Sequence, residues 1–132
     1  MKIRFVLAAA AAAVVVALAA ACAGAPKEIP EDLTARELVQ RAQEASDQYN
    51  YKAAIAYYEA LKERYGSDPE IACAAEYEIS FIAYKEKRYD EARSGFEALL
   101  ARYAGEGGSS LPPRYSVLAK KMLERIAEQT KK

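Results

Sequence analysis

The stretch YKAAIAYYEALKERY, residues 51–65, returns as YDEARSGFEALLARY at residues 89–103. At a shift of 38, Tyr51 pairs with Tyr89, Ala54 with Ala92, Glu59 with Glu97 and Ala60 with Ala98. Leu61 pairs with Leu99, Arg64 with Arg102 and Tyr65 with Tyr103, while Tyr58 answers Phe96. Seven identities and one aromatic exchange in fifteen positions exceed what shared helical composition supplies, because tyrosine is not a generic helix former. In both copies the apolar residues recur at intervals of three and four, the period of one helix face. A helix-pair repeat of this length cannot bury that face alone, so it predicts units stacked on a continuous core.

Outward from the repeat, the chain reads as helix almost throughout. From Leu33 onward Ala, Glu, Lys, Arg and Leu dominate and no alternating strand pattern appears, which predicts an all-α fold. Five helices are expected, over about Leu33–Gln48, Tyr51–Tyr65, Pro69–Lys87 and Asp90–Tyr103, with a fifth opened by Pro112-Pro113 and running to about Gln129. Gly66-Ser67-Asp68-Pro69 ends the second and starts the third: Gly suits a helix exit, Ser or Asp a cap, and Pro the first helical position. The third helix carries two apolar stripes, Ala75, Ile79 and Ile82 on one side and Tyr77, Phe81 and Tyr84 on the other. Such a helix must be covered on both sides and belongs in the middle of a stack. The Gly- and Ser-rich stretch from Ala104 to Leu111 reads as a loop, and the fifth helix offers Val117, Leu118, Met122, Leu123 and Ile126.

These residues resemble the tetratricopeptide (TPR) family. Ile79-Ser80 stands in that family's Leu-Gly position, Ala92 in its small position at the helix crossing, and Phe96 four residues on. Ala42, Ala54 and Tyr58 fill the same places in the first copy. Arg41 occupies the place where the family has Leu, Gly66 and Ala104 replace its closing Pro, and the period is 38 residues instead of 34. The stretch Tyr58 to Tyr65, with Glu76 to Lys85 and Tyr89 to Ala92, is similar to BamD-like outer-membrane lipoproteins. The resemblance implies a short α-solenoid of two helix pairs, closed by a capping helix, over residues 33–130.

The amino terminus predicts export. Lys2 and Arg4 precede Phe5–Ala21, a run with no polar side chain. A charged start, an apolar stretch and small residues at its exit make a secretory signal peptide over residues 1–21. A permanent single-pass anchor is the weaker reading, since ten of those seventeen residues are Ala, which contributes little to insertion. Leu18-Ala19-Ala20-Ala21-Cys22 resembles a bacterial lipobox, with Ala19 where that motif prefers Leu, and this implies a lipid on Cys22. The alternative is ordinary cleavage near Ala21 or Ala23, releasing a soluble periplasmic protein. Residues 22–32 then hold the lipidated Cys and an extended tether marked by Gly24, Pro26 and Pro30. By resemblance the location is the outer membrane, facing the periplasm.

Composition excludes several function classes. There is no His, which removes the commonest general base and metal ligand. The carboxylates lie beside Lys and Arg on helix faces, as in Lys85-Glu86-Lys87-Arg88, and read as solvated surface. Gly105-Glu106-Gly107-Gly108 lacks the Lys and Ser or Thr of a phosphate loop. Without Lys2 and Arg4, 17 basic side chains face 19 acidic ones, which leaves no electrostatic footprint for nucleic acid. No enzyme, cofactor, metal or small-molecule substrate is expected. Cys73 lies between Ile71-Ala72 and Ala74-Ala75 and reads as a buried small hydrophobe; a Cys22–Cys73 disulfide competes only if Cys22 carries no lipid.

What remains is protein recognition. In TPR solenoids the first helix of each pair lines a concave groove, and the resemblance places Val39, Gln43 and Asp47 there from the first repeat. From the second it places Tyr77, Phe81, Tyr84 and Lys85. Tyrosine, apolar in body and polar at its tip, suits a peptide-binding wall. The competing reading has the fifth helix cover Tyr77, Phe81 and Tyr84 as core. The expected function is a lipid-anchored adaptor for envelope proteins, possible links to outer-membrane protein assembly included; a soluble or self-associating structural repeat is the alternative.

Overall fold

The structure is a computed structural model that describes residues 24–131. The expected signal peptide and Cys22 lie outside the described residues. Five α-helices follow one another: α1 (Ala35–Asp47), α2 (Tyr51–Tyr65), α3 (Pro69–Lys85), α4 (Tyr89–Ala104) and α5 (Pro113–Thr130). A 3-10 turn at Gly108–Ser110 lies in the α4–α5 connection, and there is no strand among the described residues. The class is all-α.

Local chemistry fixes the helix starts. Thr34 caps α1 in a reciprocal box: its hydroxyl accepts from the Glu37 amide, and the Glu37 carboxylate accepts from the Thr34 amide at 2.8 Å. Asn50 accepts from the Ala53 amide to open α2, and Asp68 accepts from the Glu70 amide at 2.8 Å to open α3 ahead of Pro69. Gly66 departs from expectation. Its φ of −70° is right-handed, so the exit of α2 does not use the freedom of glycine.

Three-residue connections at 48–50, 66–68 and 86–88 force neighbouring helices to run antiparallel. Each helix packs on the next, and α3 also touches α5. The two copies share their turn geometry as well as their sequence. Tyr49 and Lys87, 38 positions apart, both adopt left-handed backbone, with φ of 59° and 61°. Around them the hydrogen bonds correspond one for one. The amides of Asn50 and Tyr49 donate to the carbonyls of Ala45 and Ser46, and those of Arg88 and Lys87 donate to Ala83 and Tyr84. Both are Schellman helix ends built without glycine.

The core has two lobes joined by α3. Leu38, Ala42, Ala54, Tyr58 and Leu61 bury against Ala75 and Ile82 of α3. On its other side Cys73 and Ala83 pack with Ala92, Phe96, Leu99, Tyr115, Ala119, Met122 and Ile126. The two-sided third helix is therefore covered on both sides. Cys73 is a free, fully buried thiol. Burial is the first reason that the neighbouring Tyr103 hydroxyl is pushed up to about 12, with the Cys73 sulfur contributing next. That hydroxyl donates to the Pro112 carbonyl at 2.6 Å and so pins the α4–α5 connection.

Two details differ from expectation. On α5 the buried stripe is Tyr115, Ala119, Met122 and Ile126, while Val117 and Leu118 stay 51% and 37% exposed. The spacing of 4, 3 and 4 residues selects that stripe, and Val117 falls opposite it. The described part of the spacer, residues 24–32, does not stand free of the domain. Arg64 donates to the carbonyls of Pro30 at 2.6 Å and Ile29 at 3.0 Å, Ile29 packs on the first lobe, and Asn50 donates to the Gly24 carbonyl at 3.4 Å. Residues 24–30 form a strap laid along α2.

Candidate functional site

Most of the residues expected at the helix crossings are buried. Ala42, Ala54, Ala92 and Phe96 are fully buried, and Tyr58 and Ser80 nearly so. Ser80 donates its hydroxyl to the Glu76 carbonyl one turn back at 2.9 Å, which satisfies a polar group in the helix crossing. Ile79 is only half-buried. Small residues at these crossings let the helix backbones approach, and the approach sets the position of everything on the opposite face.

On that opposite face a cleft of about 300 Å³ opens between the first helices of the two pairs and α5. Val39 and Gln43 of α1 form one wall; Glu70, Ile71, Ala74 and Glu78 of α3 form the other. Arg114 and Tyr115 of α5 close one end, and Tyr58 and Leu61 of α2 lie at its floor. The Arg114–Glu70 ion pair crosses that end, where the Tyr115 hydroxyl also meets Glu70 at 3.1 Å. Arg114 lies over the Tyr115 ring at 4.7 Å.

Of the seven residues expected to line a groove, Val39 and Gln43 are among those that border this cleft. Asp47 is exposed at the end of α1 and acts on the cleft only through its field at Tyr58. Tyr77, Phe81 and Tyr84 are half-buried on the second lobe, which favours core over groove wall. Tyr77 meets Tyr115 at 6.1 Å and Phe96 at 5.5 Å; Phe81 stacks between Tyr77 and Tyr84; Tyr84 meets Tyr89 at 5.7 Å. Tyr77 meets an aromatic ring of α5, while Phe81 and Tyr84 stack on each other. Lys85 is exposed and stitches the pairs together. Its ammonium donates to the Ser46 hydroxyl at 2.9 Å and stands 5.4 Å from the Tyr51 ring and 5.2 Å from the Phe81 ring.

Glu78 was not legible as a site residue. It lies one helical turn from Ala74 in the cleft wall, and no hydrogen bond or ion pair engages its carboxylate among the described contacts. Burial pushes its carboxyl above the ordinary range, with Lys85 acting the other way. Its charge and that of Asp47 add to burial in raising the Tyr58 hydroxyl. The cleft therefore offers apolar walls, one unengaged carboxylate and a buried phenol. It can hold a side chain or a short peptide, but no nucleophile–base pair is assembled in it. No group of His, Cys, Asp and Glu among the described residues is arranged to hold a metal ion, and no described helix is long and apolar enough to cross a membrane.

An uncharacterized protein of Treponema pallidum (strain Nichols) is 33% identical to this chain over 108 residues. That match covers 80% of the chain and 43% of the relative, so the chain spans less than half of that protein's length. No family model and no solved structure matches the chain.

Proposed function

We propose that this protein is a non-enzymatic, lipid-anchored TPR-like adaptor that holds other proteins in the bacterial cell envelope. The observation that carries the reading is the duplicated helix pair, alike in sequence and in both Schellman turns, with a cleft between the first helices of the pairs. A stacked pair repeat presents its first helices on one side, and that side is where such proteins bind extended or helical segments. The anchor is the lipid on Cys22, behind a charged and then apolar leader; the outer membrane, periplasm-facing, is the location that the resemblance supports. No cofactor, metal, nucleic acid or small-molecule substrate enters this function.

The test has two arms. Labelling with a fatty-acid precursor should mark the wild type and leave Cys22→Ala unlabelled; equal labelling removes the anchor. A photo-crosslinking residue at Gln43 should trap a partner in cells, whereas one at Glu97 on the far face of α4 should not. Equal yields at both positions would discard the cleft.

One observation favours a second reading, self-association. Val117 and Leu118 are exposed on α5, and light scattering of the mature protein decides it: a dimer broken by Val117→Lys supports it and a monomer ends it.

A further inference from the structure

The strap decides more than the path of the chain. Residues 24–30 run beside α2 from its start, where Asn50 holds the Gly24 carbonyl, to its end, where Arg64 holds the Ile29 and Pro30 carbonyls. An extended run of that length reaches about 20 Å, the length of a fifteen-residue helix. Gly24 is thus held at the α1–α2 turn, and Cys22 precedes it by two residues of sequence, a reach of at most about 7 Å. A lipid there leaves no slack for the domain to hang at a distance from the bilayer. Resting on the lipid-anchor reading above, we propose that the end of the domain formed by the α1–α2 and α3–α4 turns lies on the membrane surface, with Tyr49 set among the lipid headgroups.

Three observations meet at that end. The two turns are neighbours, since Lys85 bridges from the end of α3 to Ser46 and over the Tyr51 ring. The end of α5 joins them, because Arg93 near the start of α4 donates to the Thr130 hydroxyl at 3.5 Å. Tyr49 is 79% exposed at the tip of its turn, edge-on to Tyr51, in a left-handed conformation that disfavours a large side chain. An amphipathic ring kept there at a conformational cost fits the boundary between water and acyl chains.

Charge points the same way. Lys52, Lys87 and Lys131 are exposed at this end, opposed by Asp47 and Glu128, while Arg88 engages Glu86 and Glu91 and Arg93 engages Asp90. The opposite end exposes Glu31, Asp32, Glu63, Asp68 and Glu106 against Arg36 and the strap-bound Arg64. The charges of the first end balance while the second is net acidic, so an anionic lipid surface repels the second end more than the first. The helices then stand along the membrane normal, and the cleft opens sideways, its Arg114–Glu70 end farthest from the lipid.

The chain contains no Trp, so a single introduced Trp reports its own depth. Full-length, lipid-modified Tyr49→Trp is bound to phosphatidylethanolamine–phosphatidylglycerol vesicles containing brominated acyl chains, with Glu106→Trp as the far-end counterpart. We expect Tyr49→Trp emission to shift to the blue and lose at least half its intensity, and Glu106→Trp to change by less than a tenth. If the protein sediments with vesicles but the two reporters are quenched alike, the orientation is wrong and the anchor survives. If neither variant sediments with vesicles, the anchor reading fails and takes the proposal with it. Arg64→Ala, which frees the strap, should keep vesicle binding and narrow the difference between the reporters; an unchanged difference overturns the role given to the strap.

Discussion

Tyr49 and Lys87 each place an L side chain where glycine is the preferred residue, with φ near 60° at the close of a Schellman turn. Left-handed backbone costs a non-glycine residue roughly 1 kcal/mol, offset in part by the larger unfolded-state entropy of glycine. Tyr49→Gly and Lys87→Gly should each raise stability by about 0.5–1 kcal/mol in urea unfolding. A second residue-scale prediction concerns Glu78. Its folded carboxyl is raised by burial, so the folded state binds the proton more tightly than the unfolded one. The stability it contributes is present below the unfolded pKa and is lost as pH rises through the folded one. Charged groups on three helices act on this locale: Lys85 on its own helix, Asp47 of α1 through Tyr58, and Arg125 of α5 through Tyr77. Glu78→Gln should therefore be more stable than wild type at pH 7, with the gap closing toward pH 4; melting curves across that range check it. A gap that widens on acidification would contradict the sign. Neither feature could be read in advance. A helix end without glycine leaves no mark in the sequence, and a carboxylate among many on helix faces does not announce that its neighbours bury it.

At the scale of the helix, α3 and α4 approach closely where they cross. A Cβ built on Gly95 would lie 2.2 Å from the Ser80 Oγ and 3.0 Å from its Cβ. Ala has a higher helix propensity than Gly by about 1 kcal/mol, but overpacking a close crossing costs about 1–3 kcal/mol. Gly95→Ala should therefore leave stability unchanged or lower it by up to about 2 kcal/mol. Ser80→Gly in the same chain removes the clash, so a double-mutant cycle should show a coupling of about 1 kcal/mol in favour of the pair. The repeat made Ser80 and Ala92 legible as crossing residues, because a small residue at a fixed offset is a spacing signal. Gly95 has no counterpart in the first copy, where Tyr57 stands 38 residues earlier, and periodicity could not single it out. The same limit explains α5: Tyr115 and Ala119 complete its buried stripe, whereas the run Val117-Leu118 had suggested a face that the helix leaves in solvent.

Across the whole molecule, the second lobe exists only because α5 closes it. Phe96 and Leu99 are almost wholly buried, and Tyr115, Met122 and Ile126 share their lobe. The last apolar face of a stack of helices has to be covered. The mean composition of α5 conceals this role, since only one stripe of a strongly charged helix is buried; the position of that stripe decides which truncations matter. Ile126 is fully buried near the end of the helix. Ile126→Ala should cost about 2–5 kcal/mol, the range for deleting a buried aliphatic side chain. Val117→Ala, on the opposite side of the same helix, should change stability by less than about 0.5 kcal/mol. If the domain unfolds as one unit, Ile126→Ala moves every probe together, including Tyr58 in the first lobe. If the lobes are separable, the second melts first. The covering of α3 on both faces argues for the first outcome, because loosening α3 removes Ala75 and Ile82 from the first lobe at the same moment that Cys73 and Ala83 leave the second. Hydrogen exchange of the Ile126→Ala variant checks this directly: protection in α2 should fall with that in α4, and α2 amides that keep wild-type protection would show that the lobes fold independently.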